Sequence, residues 1–359
     1  MALGKHGCSH CGQGAGGLDE GTMRAPRLFV QETRFFPGGD SLVGYTRQSL
    51  ARIAGNLIHA RLSYLRARVR ASTQQGTLLR EADALLVFLR QTGFSFLPCR
   101  SLVRTPVPMG ASFRYDVHLR DVPGARFFAD FHRKQNVPAT FFLFWDYSPI
   151  ERRHFRDYRA LRKRISEPVE VGLHDSPVDA FLIKAEFGGN RHAYAKWTDS
   201  DDALQWLAEL TSNSTKLASL NEAALEDFLT RVRQTREHFG DISLVAPHGS
   251  ELWQNLRKKL PSLEASLAKT AQSLRARFWF TAERLGAASL ELCVHPSDRW
   301  REISDEGGKT SKMAEALRQE ARAKRSAVQL LIHPYTWTGG KRDAELSDLL
   351  KPEPPLNLE

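Results

Sequence analysis

Long apolar runs are missing from this sequence. None approaches the roughly 20 residues needed to span a bilayer. The opening stretch MALGKHGCSHCGQGAGG has no apolar segment of the secretory-signal kind. Both absences point to a soluble, cytoplasmic protein as the default expectation. Cysteine is scarce too, with four in 359 residues. Cys99 and Cys293 sit in apolar surroundings and read as buried thiols. Cys8 and Cys11, flanked by His6 and His10, have donors suited to zinc. No second half follows at zinc-finger spacing, so this glycine-rich stretch reads as a tail. There is no internal repeat, and no low-complexity segment beyond the glycine-rich start.

What is present is ordinary globular composition, 42% hydrophobic and 26% charged, enough for a sizeable core. The net charge of +10 favours anionic partners such as nucleic acid, anionic membrane or glycans, or simply a soluble basic surface. Residues 1–40 read as irregular. Leu50, Ile53, Leu57, Ile58, Leu62, Leu65 and Val69 recur at helical steps and predict a helix with one buried stripe. Its other face carries Arg47, Arg52, Arg61, Arg66, Arg68 and Arg70, read as a solvated face before a phosphate-gripping one. A second helix is expected from about Thr77 to Gln91. The prolines and glycine of RTPVPMG (104–110) end this helical extension, 41–110.

Beyond residue 110, β-rich apolar runs at 111–118, 137–145, 169–174, 241–247, 290–294 and 327–333 alternate with helical stretches. Strand followed by helix, repeated, predicts an α/β fold over 111–340: a parallel sheet or barrel with helices outside. Residues 341–359 form a C-terminal tail in this reading. The chain has only 12 histidines, yet five of the six runs finish on one: His118, His174, His248, His295 and His333. In a parallel architecture the C-terminal strand ends converge on one rim. Asp116 and His118, two apart on a strand, point to the same side. Imidazoles and a carboxylate crowded at one mouth suit a metal site or a proton-transfer site. His295, in VHPSD, reads equally as a turn. His132, His154, His192 and His238 read as surface residues. Trp145, Trp300 and Trp337 closely follow three of the runs; they either floor a sugar or acyl pocket or plug the core.

The motifs RYDVH, ATFF (139–142), VGLHD, PHG (247–249), SDRWRE (297–302) and LLIHPYTW occur in that order. Together they resemble a divergent branch of the polysaccharide deacetylase superfamily, the NodB-homology carbohydrate esterases. The resemblance covers about residues 111–338 and implies a distorted (β/α) barrel. It implies Asp116 as the base, His333 as the general acid and His174 as a metal ligand. Two positions depart from the pattern. The second acidic position is His118, and the place four residues after His174 is Val178 rather than histidine. His248, Asp175 or Asp179 must then complete the metal shell; the expected set is His118, His174 and His248 around a divalent metal, zinc by expectation. Trp145, Asp175, Asp298 and Trp337 are the expected substrate contacts. The activity implied is removal of an N-acyl, most readily N-acetyl, group from a sugar or sugar-like amine. Two alternatives stay open: a degenerate barrel that binds glycan or nucleic acid, supported by the departures and the basic charge, and an amidase acting on a non-sugar small molecule.

Overall fold

The structure, a computed structural model, describes residues 64–144, 155–189, 191–259, 289–292, 300–305, 308–324, 326–338 and 342–351, with Ile58 and Leu62. The chain divides into Met1–Asp40 and Ser41–Glu359, and every described residue belongs to the second unit. The expectations for Cys8, Cys11, Cys293, Trp145, His154, His295 and Asp298 fall outside the described residues.

Eight strands form one parallel sheet: β1 Ser95–Phe96, β2 Gly110–Val117, β3 Ala139–Phe144, β4 Val169–Asp175, β5 Leu244–Pro247, β6 Glu291–Leu292, β7 Trp300–Ser304 and β8 Ala327–Ile332. The order is β6-β5-β4-β3-β2-β8-β7, with β1 added to the start of β2. The sheet curls into a half-barrel. Among the described residues β6 and β7 do not pair. Each of the six apolar runs contains a strand, and β1 and β7 are additions to that reading.

Burial on both faces explains why the central strands are continuous runs rather than alternating ones. In β2 all eight residues are buried. Phe113, Tyr115 and Val117 enter the main apolar core, with Tyr115 stacked 4.6 Å from Phe141. Arg114 and Asp116 point the other way, into the hollow of the sheet, where Arg114 lies 5.4 Å over the Phe142 ring. His132, expected on the surface, is instead fully buried. Its Nδ1–H donates to the Val137 carbonyl (3.2 Å), and its Nε2 accepts from the Tyr115 hydroxyl (2.7 Å). Both ring nitrogens are satisfied, so the interior accommodates it.

Helices Gln75–Gln91 (α1) and Leu346–Leu349 pack into the same core as the sheet. Buried Glu81 of α1 accepts from the Leu346 amide and the Ser347 hydroxyl, each at 2.6 Å. Gln75–Gln91 and the described residues around Leu346–Leu349 are thus bound to the sheet's own core. The expected apolar stripe of the preceding helix is corrected at its four described positions, Leu50, Ile53 and Leu57 lying outside the described residues. Ile58 and Val69 are 60% and 62% exposed, and Leu62 and Leu65 are exposed as well. Periodicity identifies which face is apolar, and it says nothing of whether a neighbour covers that face. No helix among the described residues is long and apolar enough to cross a membrane.

Candidate metal and proton-transfer site

Because every strand pair is parallel, the C-terminal ends of β2, β4, β5, β7 and β8 share one rim. Asp116 is the penultimate residue of β2, and His118 follows that strand. His174 lies near the end of β4, opposite Ala246 of β5. His248 follows β5, with its amide donating to the Asp175 carbonyl at 2.7 Å. One nitrogen from each of His118, His174 and His248 falls within 4.8 Å of the others. The three imidazoles surround the Phe144 ring, whose centroid lies 4.6, 5.9 and 4.2 Å from theirs. Phe144 meets the His174 ring edge-on and the His118 and His248 rings at a tilt, packing apolar surface against all three.

The donor chemistry of this cluster fits a cation. His174 Nδ1 lies 3.1 Å from the Ala246 carbonyl oxygen, which can only accept, so Nδ1 carries the hydrogen. Burial pushes the His174 pKa down to about 4, against the opposing pull of Asp116. At neutral pH its Nε2 is therefore a bare lone pair, 3.3 Å from Asp116 Oδ2. Two electron-pair donors face each other there, so positive charge nearby is favoured, while Asp116 itself stands outside the three-nitrogen cluster. His118 and His248 are likewise driven well below the ordinary imidazole range, chiefly by burial, then at His118 by His248 and His174, and at His248 by His174 and Arg191. Neutral imidazole is the ligating form.

Asp116 is held by its neighbour on the same strand face. Arg114 Nε donates to Oδ1 at 2.9 Å and Nη2 to Oδ2 at 2.8 Å, a bidentate fork. Burial alone would raise this carboxyl, but Arg114 and then His174 outweigh it and hold it at about 2. Arg114 also reaches Glu302 (3.3 Å) and Gln329 (3.4 Å), tying β2 to β7 and β8.

His333, following β8, stands close enough to Asp116 for their charges to be felt. Its Nδ1 is 2.8 Å from Asp305 Oδ1, and its amide donates to both Asp305 oxygens at 3.1 Å. Trp337 Nε1 donates to Asp305 Oδ2 at 2.8 Å. Burial lowers the His333 pKa, but the hydrogen bond and charge of Asp305, with Asp116 and Asp121, reverse this and raise it above the ordinary value. Of these histidines at one rim, His174 is therefore pushed toward its neutral form and His333 toward its protonated one. Asp121 joins the two sides. Its carboxylate accepts from the His118 amide (2.8 Å) and the Tyr335 amide (2.9 Å).

Asp116, His118, His174, His248 and His333 thus meet at one mouth. Trp337 is fully buried against Phe128 and acts on the site only through Asp305, so the direct substrate contact expected of it is replaced by a positioning one. Asp175 is also fully buried, with Arg231 donating to its oxygens at 3.1 and 3.2 Å. Asp179, the other acid considered for the metal shell, accepts from Tyr194 (2.6 Å) and Ser250 (2.8 Å). Asp305, Asp121, Arg114 and Phe144 were not identified from sequence. Only Arg114 carried a signal there, since a cation two residues before an aspartate on a strand shares its face. No family model, no curated protein and no solved structure matches this chain.

Proposed function

We infer that this protein is a divalent-metal-dependent hydrolase that removes an N-acyl group, acetyl by expectation, from a sugar or sugar-like amine. The supporting observation is the meeting at one rim of the His118, His174 and His248 cluster, an Asp116 carboxylate gripped by Arg114, and a His333 ring engaged by Asp305. In this reading the curled sheet is the larger part of a distorted (β/α) barrel of the deacetylase type, in keeping with the order of its motifs.

His118, His174 and His248 would hold the ion. When bound, the ion supplies Lewis acidity to the acyl oxygen and to water, as a three-imidazole set with an open position does for other hydrolases. The protein's own groups handle the protons. Asp116, kept ionised by Arg114, accepts a proton from the water that adds to the acyl carbon. Arg114 lowers its basicity in exchange for keeping it ready at neutral pH. His333 donates its proton to the amine nitrogen as the C–N bond breaks, which matters because an amine anion is a very poor leaving group. The products are the free carboxylate and the amine, and both side chains reset with solvent. Asp305 holds the His333 ring through Nδ1, so its Nε2 is the nitrogen free to deliver the proton.

The test is amine release from N-acetylated amino sugars by the zinc-loaded protein. Asp116→Asn and His174→Ala are expected to abolish it. His333→Gln, which leaves the Arg114 network untouched, is expected to lower it by about 10²–10⁴-fold with an unchanged far-UV spectrum. Full activity in Asp116→Asn and His174→Ala would remove the reading. Faster turnover of an N-acyl amine without a sugar ring would move the substrate to the small-molecule amides.

A further inference from the structure

The His cluster and the His333–Asp305 pair are flanked by a cation that neither uses. Arg120 lies in the single turn Leu119–Asp121, between His118 and the helix Val122–Gln135. Its guanidinium sits 4.0 Å over the Tyr335 ring, which is itself 6.0 Å from the His333 ring. Arg120 is thus one aromatic ring away from the proton donor, and it is exposed. Its position is built rather than incidental. The Asp121 carboxylate binds the His118 and Tyr335 amides together, fixing the turn that carries Arg120 against the residue on which it stacks.

Among the described residues no salt bridge holds Arg120, although the neighbouring Asp121 carboxyl feels its charge. The acids around the mouth are committed elsewhere: Asp116 to Arg114, Asp305 to His333 and Trp337, Asp121 to two backbone amides, and Asp175 to Arg231. A second guanidinium, Arg191, lies 5.9 Å from the Phe144 ring that carries the three imidazoles. Arg120 itself is the exposed cation at the rim. A neutral sugar offers a stacked arginine hydroxyl acceptors but no opposite charge. An oxyanion accepts two parallel N–H bonds from the guanidinium edge that stacking leaves open, and little side-chain freedom remains to be lost.

Resting on the hydrolase reading for the identity of the site, the geometry points to a substrate that carries a carboxylate or phosphate group, bound by Arg120 on the Tyr335 face beside the scissile N-acyl bond. Arg120 is in this view the residue that separates acidic amino sugars from neutral ones.

The experiment is calorimetric titration of the zinc-loaded full chain at low salt with N-acetylmuramic acid, N-acetylglucosamine 6-phosphate and N-acetylglucosamine. At least one anion is expected to bind about tenfold more tightly than the neutral sugar, and whichever does so identifies carboxylate or phosphate. In Arg120→Gln that advantage should disappear while the zinc stoichiometry stays the same, and Arg120→Lys should restore part of it. Equal affinity for all three, no measurable binding of either anion, or an advantage that survives in Arg120→Gln would overturn the proposal. Amine release is followed separately. An Arg120-dependent preference without amine release would keep the anion site and remove the hydrolase reading. Amine release with equal affinities would do the reverse.

Discussion

His174 and His333 show how environment alone divides one residue type into two roles. Both stand at strand ends on the same rim. His174 donates to a backbone carbonyl and is buried, so it sheds its proton. His333 faces the Asp305 carboxylate and keeps its proton to higher pH than a free imidazole. A general acid works only while protonated, so N-acyl hydrolysis should decline as pH rises through the elevated His333 pKa. Replacing Asp305 with Asn removes its charge and weakens its bond, leaving Asp116, Asp121 and the Tyr335 ring as the neighbours of His333. The alkaline limb of the kcat profile is then expected to move to lower pH; an unmoved limb would remove His333 as the titrating acid. The histidines were legible in the sequence because a scarce residue type recurred at strand ends. Asp305 was not. It follows WREIS, a short and mostly polar strand without an apolar run to mark it. Its role depends on β8 lying beside β7, which no local pattern encodes.

At the scale of elements, β4 supports the reactive face of β2 through β3. A Cβ on Gly172 would lie 2.4 Å from two atoms of the Phe142 ring, so only glycine allows that ring its place. Arg114 stacks on the same ring and holds Asp116. Gly172→Ala is therefore expected to cost about 1–3 kcal/mol of stability, as overpacking of a filled interior does. Displacement of Arg114 should lower activity beyond what the stability loss explains. Urea unfolding paired with kinetics checks both parts, and a variant as stable and active as the parent would sink the account. Arg114→Met is the harsher change. It leaves a buried carboxylate uncompensated, a loss of about 3–5 kcal/mol. The strands themselves were readable because burial on both faces gives unbroken β-branched and aromatic runs, as in ATFFLF. The exposure of Ile58, Leu62, Leu65 and Val69 was not readable, because it depends on what stands opposite the helix.

For the whole molecule, the three imidazoles come from chain positions 118, 174 and 248, carried by three strand ends that separate when the sheet opens. A ligand that needs all three binds the folded chain and stabilises it by mass action, by about 2.7 kcal/mol at one hundred times its dissociation constant. Zinc should therefore raise the melting temperature, and a chelator should reverse the rise. His248→Ala should lose most of this response, whereas His333→Ala should keep it, because His333 is engaged by Asp305 rather than by the cluster. One feature of the sequence could mimic the effect. Cys8 and Cys11, with His6 and His10, offer a second set of zinc donors, and metal held there could change the apparent response without involving the rim. The comparison is therefore made in a Cys8→Ser, Cys11→Ser background. If zinc still raises the melting temperature there, and His248→Ala removes the rise, the ion couples to the sheet through its strand ends. An equal rise in His248→Ala would show that the imidazoles meet without holding a metal, and the proposed hydrolase would lose its Lewis acid.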